Sequence, residues 1–62
     1  GLIEALYAHF HDNPTHMPQA YLYIMWEEGV DRAVTDYISG MSDEYATSTF
    51  ESLFVPQKWQ IL

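Results

Sequence analysis

Between residues 30 and 41 the apolar side chains keep one period. Val30, Ala33, Val34, Tyr37, Ile38 and Met41 fall at i, i+3, i+4, i+7, i+8 and i+11, which places all six on one face of an α-helix. A strand, with its two-residue alternation, would scatter them over both faces. The spacing therefore predicts a helix that must bury this face, and makes it the central packing element. On its other side Arg32 and Asp36 stand four residues apart and can pair, for a few tenths of a kcal/mol if exposed. Gly40 lacks a Cβ and costs about 1 kcal/mol relative to Ala inside a helix. It is therefore expected either to end the helix or to let another backbone approach closely.

Three further helices are predicted around it. Leu2, Ile3, Leu6 and Phe10 recur at near-helical spacing, and the helix should stop by Asn13 because the residue before Pro14 is biased away from helical geometry. Pro18 suits a first-turn position, where a missing N–H costs nothing, and opens a helix through Tyr21, Leu22, Met25 and Trp26 that Gly29 ends. The run YLYIMW at residues 21–26 is nearly continuous in apolar residues, so this helix is expected to be mostly buried on several sides. Ser42 is placed to cap a fourth helix, with Asp43 and Glu44 facing the positive end of its dipole. Tyr45, Ala46, Thr49, Phe50, Leu53 and Phe54 form its apolar stripe, and the tail of residues 55–62 shows no usable period. The expected fold class is all-α, a small bundle of about four short helices.

Composition limits what such a bundle can do. With 62 residues and no cysteine, it has neither disulfides nor a thiolate metal cluster to compensate for a small core. It should lean on a partner surface or fold weakly. The 48% apolar and 16% aromatic content is too rich for a disordered tail. No stretch has the 18 or so uninterrupted apolar residues of a membrane span, and no basic leader precedes an apolar run. The net charge is −7, with Arg32 and Lys58 the only Lys or Arg residues. Such a chain repels phosphate backbones and nucleoside triphosphates, so binding of nucleic acid by this segment is not expected. A cytoplasmic location is expected.

The run DYISGMSDEYA at residues 36–46, with Arg32 four residues ahead, closely resembles the C-terminal signature of the dGTP triphosphohydrolase family. That signature runs roughly as an Arg, two or three residues, then DYIAGMTDRYA, in the phosphohydrolase-associated segment that follows the HD catalytic domain. Upstream, Asn13–Pro14 and Met17–Pro18 fill what resembles the family's proline turn between two helices. Downstream, residues 50–54 stand where the family usually has a tyrosine-rich helix ending in Leu-Phe. The resemblance covers about residues 2–54, with the whole chain, 1–62, taken as one phosphohydrolase-associated domain. It departs from the pattern at Glu44, commonly Arg, at Ser42 for Thr, at Thr35 for Cys and at Ser39 for Ala.

Against this background the cluster His9, His11, Asp12 and His16 invites comparison with the family's HD metal centre. Helix geometry argues otherwise: His9 and Asp12 share a face, but His11 points about 200° from His9, and the three imidazoles are not expected to converge. The resemblance also places a turn here, with the metal ligands well upstream. No metal or cofactor is therefore expected in this segment; a divalent metal is implied for the parent enzyme alone. Asp36 and Asp43 lie a heptad apart, yet Gly40 and Ser42 break the helix between them, and two carboxylates without a perturbing pocket do not make an acid–base pair. Tyr37 and Tyr45 are positioned to reach a base in an assembled enzyme, although tyrosines at helical spacing more commonly pack in a core or interface. There is no nucleophile with a base and no glycine-rich phosphate loop.

The resemblance thus implies a fragment of a larger helical enzyme with no catalytic or substrate-binding residue of its own. Arg32, Asp36, Tyr37, Ile38, Gly40, Met41, Asp43 and Tyr45 are its expected structural or interface residues. The implied partners are the HD catalytic domain of the parent chain and further subunits of a homo-oligomer, with no membrane. The competing expectation is a free-standing acidic helical module that binds a protein through Tyr21, Trp26 and Trp59.

Overall fold

Helices in this chain end where the backbone chemistry forbids them to continue. The structure, a computed structural model, describes residues 1–55 and is all-α. Helix α1 is Leu2–Asp12, a single 3-10 turn is Pro14–His16, α2 is Gln19–Glu28, α3 is Val30–Ser39 and α4 is Asp43–Phe54. Asn13 closes α1 by donating both its N–H and its side-chain Nδ2 to the His9 carbonyl, at 2.8 and 3.0 Å. Pro18 stands one position earlier than a first-turn residue, as the N-cap of α2, where its carbonyl accepts from Tyr21 at 3.0 Å.

One residue joins α2 to α3. Gly29 donates to the Met25 carbonyl at 2.9 Å and accepts from Ala33 at 3.2 Å, so it closes one helix and opens the next. Its φ of 96° lies where a side chain is strained. Gly40 acts differently. It caps α3 in an ordinary right-handed conformation with φ of −87°; of the two roles open to it, ending the helix is the one it fills. Met41 therefore lies just past α3 instead of within it. Ser42 then caps α4, its Oγ accepting from the Tyr45 N–H at 3.1 Å, with Asp43 and Glu44 in the first turn.

The predicted face of α3 supplies half the core. Ala33, Val34, Tyr37 and Ile38 are buried, with Val30 and Met41 half-buried at either end of the stripe. Leu6 and Phe10 of α1, Met17 after the 3-10 turn and Ala46 of α4 complete the cluster. Helix α3 packs most extensively on α2 and next on α1, and α4 packs on α1. Phe50 and Leu53 of α4 pack against the cluster, while Tyr45 and Phe54 at the edges of their stripe are about half exposed.

The expectation for α2 is corrected. It was expected to be mostly buried on several sides, yet none of its residues is buried, and Tyr23 and Trp26 are 63% and 79% exposed. Tyr21, Ile24 and Met25 pack toward the core, so one side of the helix is covered and the other is not. The apolar run states how much surface favours burial; within residues 1–55 only α3 and its neighbours are there to cover it. Lys58, Trp59 and the rest of residues 56–62 lie outside the described residues.

Leu6 and Val34 are fully buried, and truncating such a leucine costs about 2–5 kcal/mol. A domain of this size has a total stability of only roughly 3–9 kcal/mol, at about 0.05–0.15 kcal/mol per residue. Leu6→Ala should therefore remove most of the helical signal near room temperature, as should Ile38→Asp, which would bury an unpaired charge. Trp26→Ala should leave the melting of the isolated chain nearly unchanged, because its side chain is already in water. Circular dichroism melts of the three variants check this; an unchanged melt for Leu6→Ala would contradict the assigned core.

Candidate functional site

At the start of α2, beside the crossing from α3 to α4, lies a cleft of about 400 Å³. Pro18 caps α2 and Tyr21 lies in its first turn, while Tyr37, Gly40, Met41, Ser42 and Tyr45 come from the α3–α4 corner. The corner works by local chemistry: α3 stops at Gly40, the Met41 N–H bonds back to the Ile38 carbonyl at 3.1 Å, and Ser42 starts α4. This reversal carries Tyr45 back toward Tyr37, so that their hydroxyls meet at 3.0 Å. Tyr21 reaches the same ring from α2, with ring centroids 4.8 Å apart.

The lining consists of aromatic faces, a thioether, a proline, a hydroxymethyl group and two linked phenols, with no charged side chain. It suits a planar or apolar group with one or two hydrogen-bonding atoms. It offers no cation to a phosphate. Burial pushes the Tyr37 hydroxyl well above its usual range, and the hydrogen bond to Tyr45 adds to the shift. Tyr37 therefore stays protonated at neutral pH and serves as a hydrogen-bonding partner, not as a base.

Of the residues expected to carry the segment's role, the fold gathers Tyr37, Gly40, Met41 and Tyr45 around this cleft. The others stand elsewhere. The Arg32 Nε donates to both carboxylate oxygens of Asp36 at 3.2 Å, and a second guanidinium nitrogen lies 3.9 Å from Glu28. These contacts, Asp36 foremost, raise the Arg32 pKa, and the group sits on the open face of α3. Ile38 is in the core, and Asp43 is exposed in the first turn of α4. The cleft residues not expected from the sequence are Pro18 and Tyr21, together with Ser42, which was assigned only as a cap. No local spacing links Tyr21 to Tyr37; the turn at Gly29 does.

Two of the three imidazoles come together and the third does not. His11 does face away from His9, and its Nε2 lies 2.9 Å from an Asp31 carboxylate oxygen. His9 and His16, whose pairing the spacing along α1 does not foresee, meet with Nε2 and Nδ1 at 2.9 Å. The turn at Pro14–His16 folds His16 back along α1, and His9 also packs edge-on against Phe10 and Phe54. One ring donates and the other accepts, so this contact requires at least one neutral imidazole. Among the described residues no three His, Asp or Glu side chains converge on one point. A catalytic divalent ion commonly takes three or more protein ligands, so this donor set does not fit one.

The chain matches the phosphohydrolase-associated domain family over residues 1–52. It is 39% identical over 56 residues to a deoxyguanosinetriphosphate triphosphohydrolase-like protein of Clostridium perfringens strain SM101, covering 90% of this chain and 16% of that protein. A protein of the same description from Caldanaerobacter subterraneus subsp. tengcongensis is 38% identical over 58 residues, covering 94% of this chain and 17% of its own length. One from Geobacter sulfurreducens is 39% identical over 51 residues, covering 82% and 13% respectively. The chain spans about a sixth of the length of the first two relatives, at 16% and 17%. No solved structure matches it.

The raised Tyr37 pKa has a pH signature. A phenol whose pKa is higher folded than unfolded stabilises fully below the unfolded value, about 10, and that contribution is lost as pH rises beyond it, because the unfolded chain ionises first. Denaturant unfolding between neutral pH and pH about 11 should show falling stability in the original chain. Tyr37→Phe should start from lower stability, having left the Tyr45 hydroxyl without its partner, but lose less over the same interval. Equal pH slopes for the two chains would contradict the burial of this hydroxyl.

Proposed function

The chain belongs to the phosphohydrolase-associated domain family, and from that premise we propose that it is the C-terminal helical segment of a dGTPase-like triphosphohydrolase. The parent would be metal-dependent and would convert a deoxynucleoside triphosphate to the deoxynucleoside and triphosphate. In this reading the segment has no catalytic centre. Its role is structural: it packs on the HD catalytic domain of the parent chain and supports a homo-oligomer in the cytoplasm. Among the described residues no helix is long and apolar enough to cross a membrane.

The observation that carries the proposal is the family match over residues 1–52, joined to relatives described as triphosphohydrolase-like of which it covers about a sixth. The chemistry supports the same division of labour. Triphosphate hydrolysis needs charge neutralisation at the phosphates and an activated water. The cleft lining carries no charge, and Arg32 is already engaged by Asp36 and Glu28. The half-covered α2 fits a piece whose remaining partner surface belongs to a larger body.

The test compares three proteins: the isolated segment, the parent lacking it, and the intact parent. The segment alone should show no turnover of any deoxynucleoside triphosphate. The truncated parent should lose activity together with a change in gel-filtration elution, because its apolar counter-surface would be uncovered. Turnover by the purified segment would refute the proposal, as would a truncated parent that is fully active and normally assembled.

A further inference from the structure

The outward side of α2 carries an apolar ridge. Leu22, Tyr23 and Trp26 are neighbours on the helix surface, at spacings of three and four residues between the first two and Trp26. Leu22 is half-buried, and the two aromatic rings are largely open to solvent. An aromatic side chain of this kind buries about 150–250 Å² when covered, and large exposed aromatics grouped together mark a contact surface. The ridge ends in Glu27 and Glu28, with Asp31 just beyond Gly29. The one Lys or Arg among the described residues, Arg32, lies between Glu28 and Asp36.

We propose that this ridge docks on the catalytic portion of the same polypeptide, against an apolar surface rimmed with lysine or arginine. The inference rests on the proposed function and adds to it the face that makes the contact. Two observations select the occupant. The relatives are about six times as long as the stretch they share with this chain, which is 16% of one of them. A surface on the same polypeptide is held at high effective concentration, so a small ridge suffices where a free partner would need a larger area. The second observation is charge. A second copy of the ridge packed on itself about a two-fold axis would bring Glu27, Glu28 and Asp31 near their own counterparts, in a chain of net charge −7. A basic rim pairs with the same carboxylates.

The experiment uses the full-length parent with a cysteine at Tyr23 or at Trp26. Maleimide labelling is timed in native buffer and in denaturant, and the modified peptide is identified by mass. Both cysteines should label at least ten-fold more slowly in the native parent than in the unfolded one, and this protection should persist when the oligomer is diluted to single subunits. Native labelling within two-fold of the unfolded rate overturns the docking, and protection lost on dilution overturns it in favour of a second copy. If a cysteine variant fails to fold, Glu27→Lys in the parent probes the same contact through charge. A lysine near the C-terminus of α2 favours the helix dipole locally, so a fall of a few degrees in the parent's melting temperature would report the basic rim. An unchanged or raised melting temperature would contradict it. An unprotected ridge in a parent that still needs the segment for assembly overturns this inference alone, whereas a truncated parent that assembles and turns over normally overturns the proposed function.

Discussion

The fold depends on one ring. Tyr37 meets Phe10 of α1 edge-on at 5.1 Å, Tyr21 of α2 at 4.8 Å and Tyr45 of α4 at 6.3 Å, so every other helix touches it. Aromatic pairs in such arrangements contribute about 0.5–1.5 kcal/mol each beyond the area they bury. The phenol brings a polar atom into the interior that needs a partner, and Tyr45 supplies it at 3.0 Å. Core and cleft are therefore one structure, since the same ring closes the first and walls the second. A change that repacks either will be felt in the other.

Charge plays the complementary part. The chain has nine acidic residues against Arg32 and Lys58, and the ion pairs on its surface are exposed ones of little individual worth. What holds the described residues together is apolar contact around α3, and apart from the Tyr37 hydroxyl the buried side chains among them are apolar. The acidic exterior disfavours anionic ligands and selects for neutral or basic neighbours. The two properties are separable, which is why the outward side of α2 can carry both exposed aromatics and carboxylates without disturbing the core beneath.

Legibility followed the range of the interaction. The α3 face could be read because its period is imposed by contacts on one side of one helix, and the stops at Asn13, Gly29 and Gly40 and the cap at Ser42 could be read because each acts within four residues. The run at residues 21–26 hides its covered side for a physical reason: an almost continuous apolar helix has no preferred side, so its sequence does not say where cover ends. The cleft was half visible. Tyr37, Gly40, Met41 and Tyr45 belong to the motif that resembles the family signature, whereas Pro18 and Tyr21 join them only through tertiary packing. His9 and His16 likewise meet because a proline-led turn doubles back, which helical-wheel geometry for α1 alone does not anticipate.

Gly29 links these features in a further way. The whole connection between α2 and α3 is this residue, held at a φ of 96°, while the cleft walls Pro18 and Tyr21 lie toward the opposite end of α2. Helix α2, about 15 Å long at 1.5 Å per residue over its 10 residues, is thus directed at one end by the dihedral angles of a single residue and held along its length by packing on α3. The placement of Tyr21 opposite Tyr37 and Tyr45 thus depends on a residue that lines no part of the cleft. A side chain added at residue 29 would meet no neighbour within 4 Å, yet it would strain the very backbone that sets this direction.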